Sequence, residues 1–228
     1  MRPVARVITG SATSGIEISK VVRNTYTLLA MTLLFSAVTA GVSMAIKPPM
    51  FTGLICSLVA MALIWFVLPK TANSSAGLGV VFGITGLLGF GLGPILSHYL
   101  AMPNGGSVVA MAMGSTAAIF LGLTGYVMVT KKDFSFMGGF LMAGMMVVIF
   151  SMLALLVAGM FGYAMPMASL ALSAAVALLM AGFMLYDTSR LINGGETNYI
   201  IATVGIYLSI YNLFVSLLHL IGATSGDD

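Results

Sequence analysis

The sequence predicts an all-α, polytopic membrane protein with seven transmembrane helices. Two observations predict the spans. Charged residues occupy 7% of the 228 positions, against roughly a quarter in ordinary soluble domains. Apolar residues make up 60%, with a mean hydropathy of +1.10, and they fall into long unbroken runs. A water-soluble chain of this size would expose that surface and aggregate. In hydrocarbon the backbone must satisfy its own hydrogen bonds, as helices or as a closed barrel. Barrel strands are short and alternate apolar with polar residues. The runs here do not, so the spans are helices.

A helix crosses the hydrocarbon with about 20 apolar residues. The first run is Asn24–Ile46. Residues 1–23 before it are polar and basic and read as a cytoplasmic tail. The run exceeds the roughly 7–15 apolar residues of a secretory signal, so it is read as a retained span. Lys47-Pro48-Pro49 separates it from Met50–Leu68, and the segment from Pro69 to Ser75 leads to Ala76–Leu100. Within that third run, Gly91-Leu92-Gly93-Pro94 is where a break would reduce the count to six. Pro103-Asn104-Gly105 introduces Gly106–Thr130, and Lys131-Lys132-Asp133 introduces Phe136–Met160. Gly162-Tyr163 precedes Pro166–Tyr186. The segment from Asp187 to Asn198 then leads to Tyr199–Gly222. Pro and Gly punctuate these connections as turns require. The expected organisation is one membrane domain over 24–222, with a short external tail over 223–228.

Orientation follows from the basic residues. With the N-terminus in the cytoplasm, Arg2, Arg6, Lys20, Arg23, Lys70, Lys131, Lys132 and Arg190 lie inside and only Lys47 lies outside. With an odd number of spans the C-terminus lies outside, and the lipid bilayer is the main partner. The net charge of +3 is scattered between the runs rather than clustered, so nucleic acid is not expected as a partner. Cys56 is the single cysteine, which rules out an intrachain disulfide and a cysteine-based metal site. No cofactor is expected. A soft-metal path needs converging ligands, and no Met pairs with a His or Cys at ligand spacing.

Small residues recur at helical spacing in two runs, as Gly79, Gly83, Gly86, Gly89 and Gly93, and as Ala174, Ala177, Ala181 and Gly182. They are read as close helix contacts within one bundle. His98 and His219 fall near span ends and are read as interface residues.

Chemistry would be expected where charge meets a span, because charge is costly in lipid. Span interiors hold no Lys, Arg, Asp or Glu; the nearest carboxylate is Asp187, directly after Tyr186. At a helix C-terminus it would oppose the macrodipole and call for a partner. Arg190, three residues on, offers a local ion pair; the alternative is a buried carboxylate that senses pH or binds a cation. Catalytic motifs are missing. Ser115 lacks a nucleophile-elbow context, and Tyr186-Asp187 has no second intramembrane acid to share a proton. No Walker, dinucleotide or zincin pattern occurs. The chain is not expected to be an enzyme.

Three C-terminal pieces carry a resemblance. Met184-Leu185-Tyr186-Asp187-Thr188, Asn198-Tyr199-Ile200, and the stretch from Ile206 to Phe214 (Ile-Tyr-Leu-Ser-Ile-Tyr-Asn-Leu-Phe) are similar to the Bax inhibitor-1 family, notably its bacterial inner-membrane branch. The resemblance implies six helices around a central seventh. It implies two candidate functions. One is direct association with the membrane-bound AAA metalloprotease FtsH, restraining it. The other is a pH-sensitive calcium or cation leak, in which Asp187 would be half of a carboxylate pair. The partner acids of that pair belong on the seventh span, where this chain has Gly205 and Ser209. A lone carboxylate lacks the like-charge neighbour that would raise its pKa strongly, and it offers a calcium ion too few oxygens. Asp187, Arg190 and Ser209 are therefore the residues to follow, as a gate or as a polar pair, and the regulator is the favoured function.

Overall fold

A computed structural model describes residues 4–225, with side chains described from residue 16. Residues 1–3 of the expected cytoplasmic tail and 226–228 of the expected external tail lie outside the described residues. The described residues form helices and connections without a strand. The helices are α1 (Val4–Ile46), α2 (Phe51–Thr71), α3 (Ala76–Leu100), α4 (Gly105–Thr130), α5 (Gly138–Met160), α6 (Pro166–Ile192) and α7 (Tyr199–Thr224). A π-helical segment, Leu63–Val67, interrupts α2 just before Pro69. All seven helices are long and apolar enough to cross a membrane.

Two boundaries differ from the sequence expectation. The first helix begins at Val4, so most of the polar N-terminal segment is helical. At 43 residues it is about 65 Å long, roughly twice the hydrocarbon thickness. The sixth helix does not stop at Tyr186 but continues to Ile192. Asp187 is therefore inside the helix, about one and a half turns from its end, where the macrodipole weighs on it less than at the terminus. The six-span alternative falls away, because α3 runs unbroken through a buried Pro94. Packed neighbours make an intramembrane proline tolerable.

The seventh helix is the most buried span, and α1, α3, α4 and α6 pack directly against it. α2 rests on α3 and α5 rests on α6, so two of the six surrounding helices stand in an outer row. Tyr207, fully buried on α7, ties the centre together. Its hydroxyl meets Ser36 Oγ at 2.6 Å and donates to the Thr85 carbonyl at 3.3 Å.

The α3 glycines pack within the chain. Side chains at 89 and 93 would collide with Ser36, Thr39 and Ser43 of α1. One at 86 would stand 2.8 Å from Phe35 Cε1. Gly79, by contrast, faces open space. On the other flank, Gly182 admits Leu141 and Gly144 admits Leu179, which lets α5 and α6 approach closely. Arg23 of α1 and the helix ends beside Lys70, Lys131, Lys132 and Arg190 gather at one end of the bundle, termed the basic end. At the opposite half an apolar cleft of about 500 Å³ lies between α1 and α4 above Tyr207.

Candidate functional site

The site grows from the way α6 and α7 meet near the basic end. Asp187 is partly buried on α6, and position 205 of α7 lies directly against its carboxylate. A side-chain carbon at Gly205 would stand 3.2 Å from Asp187 Oδ2. The absence of a side chain at 205 is what lets the carboxylate lie on the central helix. A single acid thus occupies the crossing.

Ser209 follows one turn along α7 and is buried. Its hydroxyl donates to the Gly205 carbonyl at 3.2 Å, so it is spent within its own helix and does not reach Asp187. The Asp187–Arg190 pairing allowed by their spacing does not form. Arg190 reaches past the helix end, where Nη2 donates to the Gly195 carbonyl at 3.0 Å and lies 3.6 Å from Glu196 Oε2. Its guanidinium also sits 5.5 Å from the centroid of the Tyr186 ring. The reason is geometric: the loop after α6 folds back through Gly194, whose φ of 76° needs glycine, and brings Glu196 to the guanidinium. The structure therefore joins Asp187 to Gly205 and leaves Arg190 and Ser209 with other partners.

Behind Asp187 lies a set of hydroxyls that no sequence motif marks. Those of Thr124 on α4 and Thr188 on α6 face that of Tyr26 on α1, yet no pair closes to a hydrogen bond. They form a buried cluster of hydroxyls beside the carboxylate. One carboxylate and three hydroxyls meet there. They carry half the formal charge of a carboxylate pair. Among the described residues, no group of three His, Cys, Asp or Glu side chains converges to hold a metal ion.

Hydrogen bonds knit the loops of the basic end to the site. Asn198 caps α7 by accepting from Ile200 N at 2.9 Å and Ile201 N at 3.3 Å. Its side-chain amide donates to the Ala72 carbonyl at 3.0 Å and to Asn73 Oδ1 at 2.8 Å. Ser189, fully buried, accepts from Phe134 N at 2.8 Å and so anchors the 131–134 loop. In that loop Asp133 accepts from the Ser135 side chain and from Ser135 N, bonds that hold its carboxyl below the usual range. An Asn before an apolar run is a readable cap signal. Ser189 had no comparable signal, since its role depends on a loop 55 residues away.

Known relatives match nearly the whole chain. A membrane protein of Vibrio cholerae serotype O1, itself uncharacterized, is 47% identical over 220 residues, covering 96% of each chain. The modulator of FtsH protease YccA of Escherichia coli K12 is 47% identical over 224 residues, 97% of this chain and 99% of that one. The inner membrane protein YccA of Escherichia coli O6:H1 matches to the same extent. The family profile described as "Inhibitor of apoptosis-promoting Bax1" matches residues 18–226. The match reaches all seven helices, Asp187 and the residues of α7 facing it, and the chain belongs to this family, the Bax inhibitor-1 family.

Proposed function

We propose that this chain is a multi-pass inner-membrane regulator that binds the membrane-bound protease FtsH and restrains its proteolysis. One observation carries the reading: 47% identity over 97% of the chain to a protein named as a modulator of FtsH protease. The chemistry of the site agrees with it. Asp187 faces a glycine, so the crossing lacks the second acid that a carboxylate-pair leak requires. In this reading the N-terminus and the basic end face the cytoplasm, as the distribution of Lys and Arg favours. The tied loops around Asn73, Phe134 and Asn198 then form a rigid surface on the side where an AAA motor works.

The test has two parts. The protein should co-purify with FtsH from native membranes, and adding it to purified FtsH in proteoliposomes should slow degradation of a membrane substrate. Unchanged FtsH-dependent turnover on deletion under membrane stress, together with failure to co-purify, would sink the proposal.

A further inference from the structure

A second polar site lies at the end of the bundle away from the basic residues. On α7, Asn212, Ser216 and His219 follow at i, i+4 and i+7 and share one face. On α6, Ser169 and Ser173 are one turn apart. Both faces line a pocket of about 320 Å³. Ser173 Oγ lies 2.7 Å from His219 Nδ1 and 3.0 Å from the Ser169 carbonyl, so the imidazole is oriented by α6. Asn212 donates to the Leu208 carbonyl at 2.9 Å, which leaves its Oδ1 to accept. Ser216 differs from Ser209 on the same helix. It is 6% exposed, lines the pocket, and among the described residues makes neither the back-bond to its own helix nor any other hydrogen bond. The residue is buried while its hydroxyl stays open to the pocket, where a ligand can supply the missing partner.

The lining defines the ligand. It contains no Asp, Glu, Lys or Arg, so the group it contacts is neutral. With no acid behind it, the imidazole orients a guest rather than activating Ser173 as a nucleophile. Ile95, Leu172, Val176 and Val215 supply apolar walls beside the hydroxyls. Tyr99 is next to the last residue of α3, Ser169 is in the first turn of α6, and His219 is in the last two turns of α7, so the mouth is at the membrane interface. α3 and α6 share no packed face there, and Met152 of the lipid-facing α5 forms part of the rim. The pocket thus opens sideways to lipid at the depth where hydrocarbon gives way to esters.

We propose that this pocket binds the glycerol–ester region of a diacyl membrane lipid. Ser216 donates to an ester oxygen, the edge of the His219 ring lies beside the glycerol backbone, and one acyl chain lies along the apolar wall. Free glycerol offers the same oxygens without the chains, so the experiment must separate the two. The full chain in nanodiscs of phosphatidylethanolamine and phosphatidylglycerol, doped with a diazirine-bearing phosphatidylglycerol, is irradiated and its peptides mapped. Labelling should concentrate on residues 169–176 and 212–219. Ser216→Ala should reduce it about three- to tenfold, the span expected for one lost hydrogen bond, while Ser216→Thr keeps it. Both variants should unfold at the wild-type temperature and keep the background label on α5. Labelling spread evenly over the lipid-facing helices, or unchanged in Ser216→Ala, overturns the proposal. Loss of the label with excess glycerol overturns the lipid assignment.

Discussion

Asp187 is set by what stands opposite it. Gly205 gives the carboxylate a flat stretch of backbone at 3.2 Å from where a side chain would begin, and Ser209 keeps its hydroxyl on its own helix. A calcium ion takes six to eight oxygens, usually with more than one carboxylate among them; here one acid and the hydroxyls of Tyr26, Thr124 and Thr188 are what the crossing offers. The expectation is that the purified chain in liposomes carries no calcium above protein-free vesicles on either side of neutral pH. A calcium-sensitive dye inside the vesicles reads this directly. Flux above the control that disappears in Asp187→Asn would show that one carboxylate suffices, and the case against a leak would fail.

At the scale of elements, the α1–α3 interface depends on glycine. Without a hydrophobic force between helices in lipid, close backbone approach supplies the packing. Position 93 shows it, because a side-chain carbon there would run into Ser43. Gly93→Leu should destabilise the protein by about 1–3 kcal/mol, the usual cost of overpacking. Gly79→Leu, on the same helix but facing open space, should stay within about 0.5 kcal/mol of wild type. Thermal unfolding in detergent distinguishes them; helix propensity favours Leu over Gly at both positions, so equal losses would overturn the packing argument. The spacing of Gly86, Gly89 and Gly93 made this interface legible in the sequence, since a small residue every turn has few other uses. Other elements were less readable. The helical start of α1 was hidden by its polar composition, which speaks for water contact and not for backbone shape; Gly10, Ser11, Thr13, Ser14 and Gly15 all weaken helix expectation. The extension of α6 past Asp187 was hidden by the charge itself. The faces of Ser173, Ser216 and His219 were hidden because a polar residue in an apolar helix looks the same whether it meets a pocket or another helix.

For the whole molecule, the two ends of the bundle are built differently. At the basic end Asn198 ties the loop at Ala72 and Asn73 to the start of α7, and Ser189 ties the 131–134 loop to α6. At the other end the helices part, around the α1–α4 cleft and the polar pocket beside His219. Which end faces the cytoplasm decides whether the firm surface is available to a cytoplasmic motor, and the distribution of basic residues argues that it is. Counted along the spans, eight of the nine Lys and Arg belong to one side, with Lys47 alone on the other. Positive charge near span ends resists translocation, so such a bias fixes orientation in short-looped proteins. Cysteine labelling tests this cleanly, since the native Cys56 is buried on α2 and can be replaced by alanine. In that background, Asn104→Cys is on the loop between α3 and α4, and Lys132→Cys is on the loop between α4 and α5. A membrane-impermeant maleimide added to intact spheroplasts should label Asn104→Cys and spare Lys132→Cys until the membrane is opened. The reverse pattern would turn the molecule over, place the tied loops in the periplasm, and remove the surface on which the proposed restraint of FtsH depends.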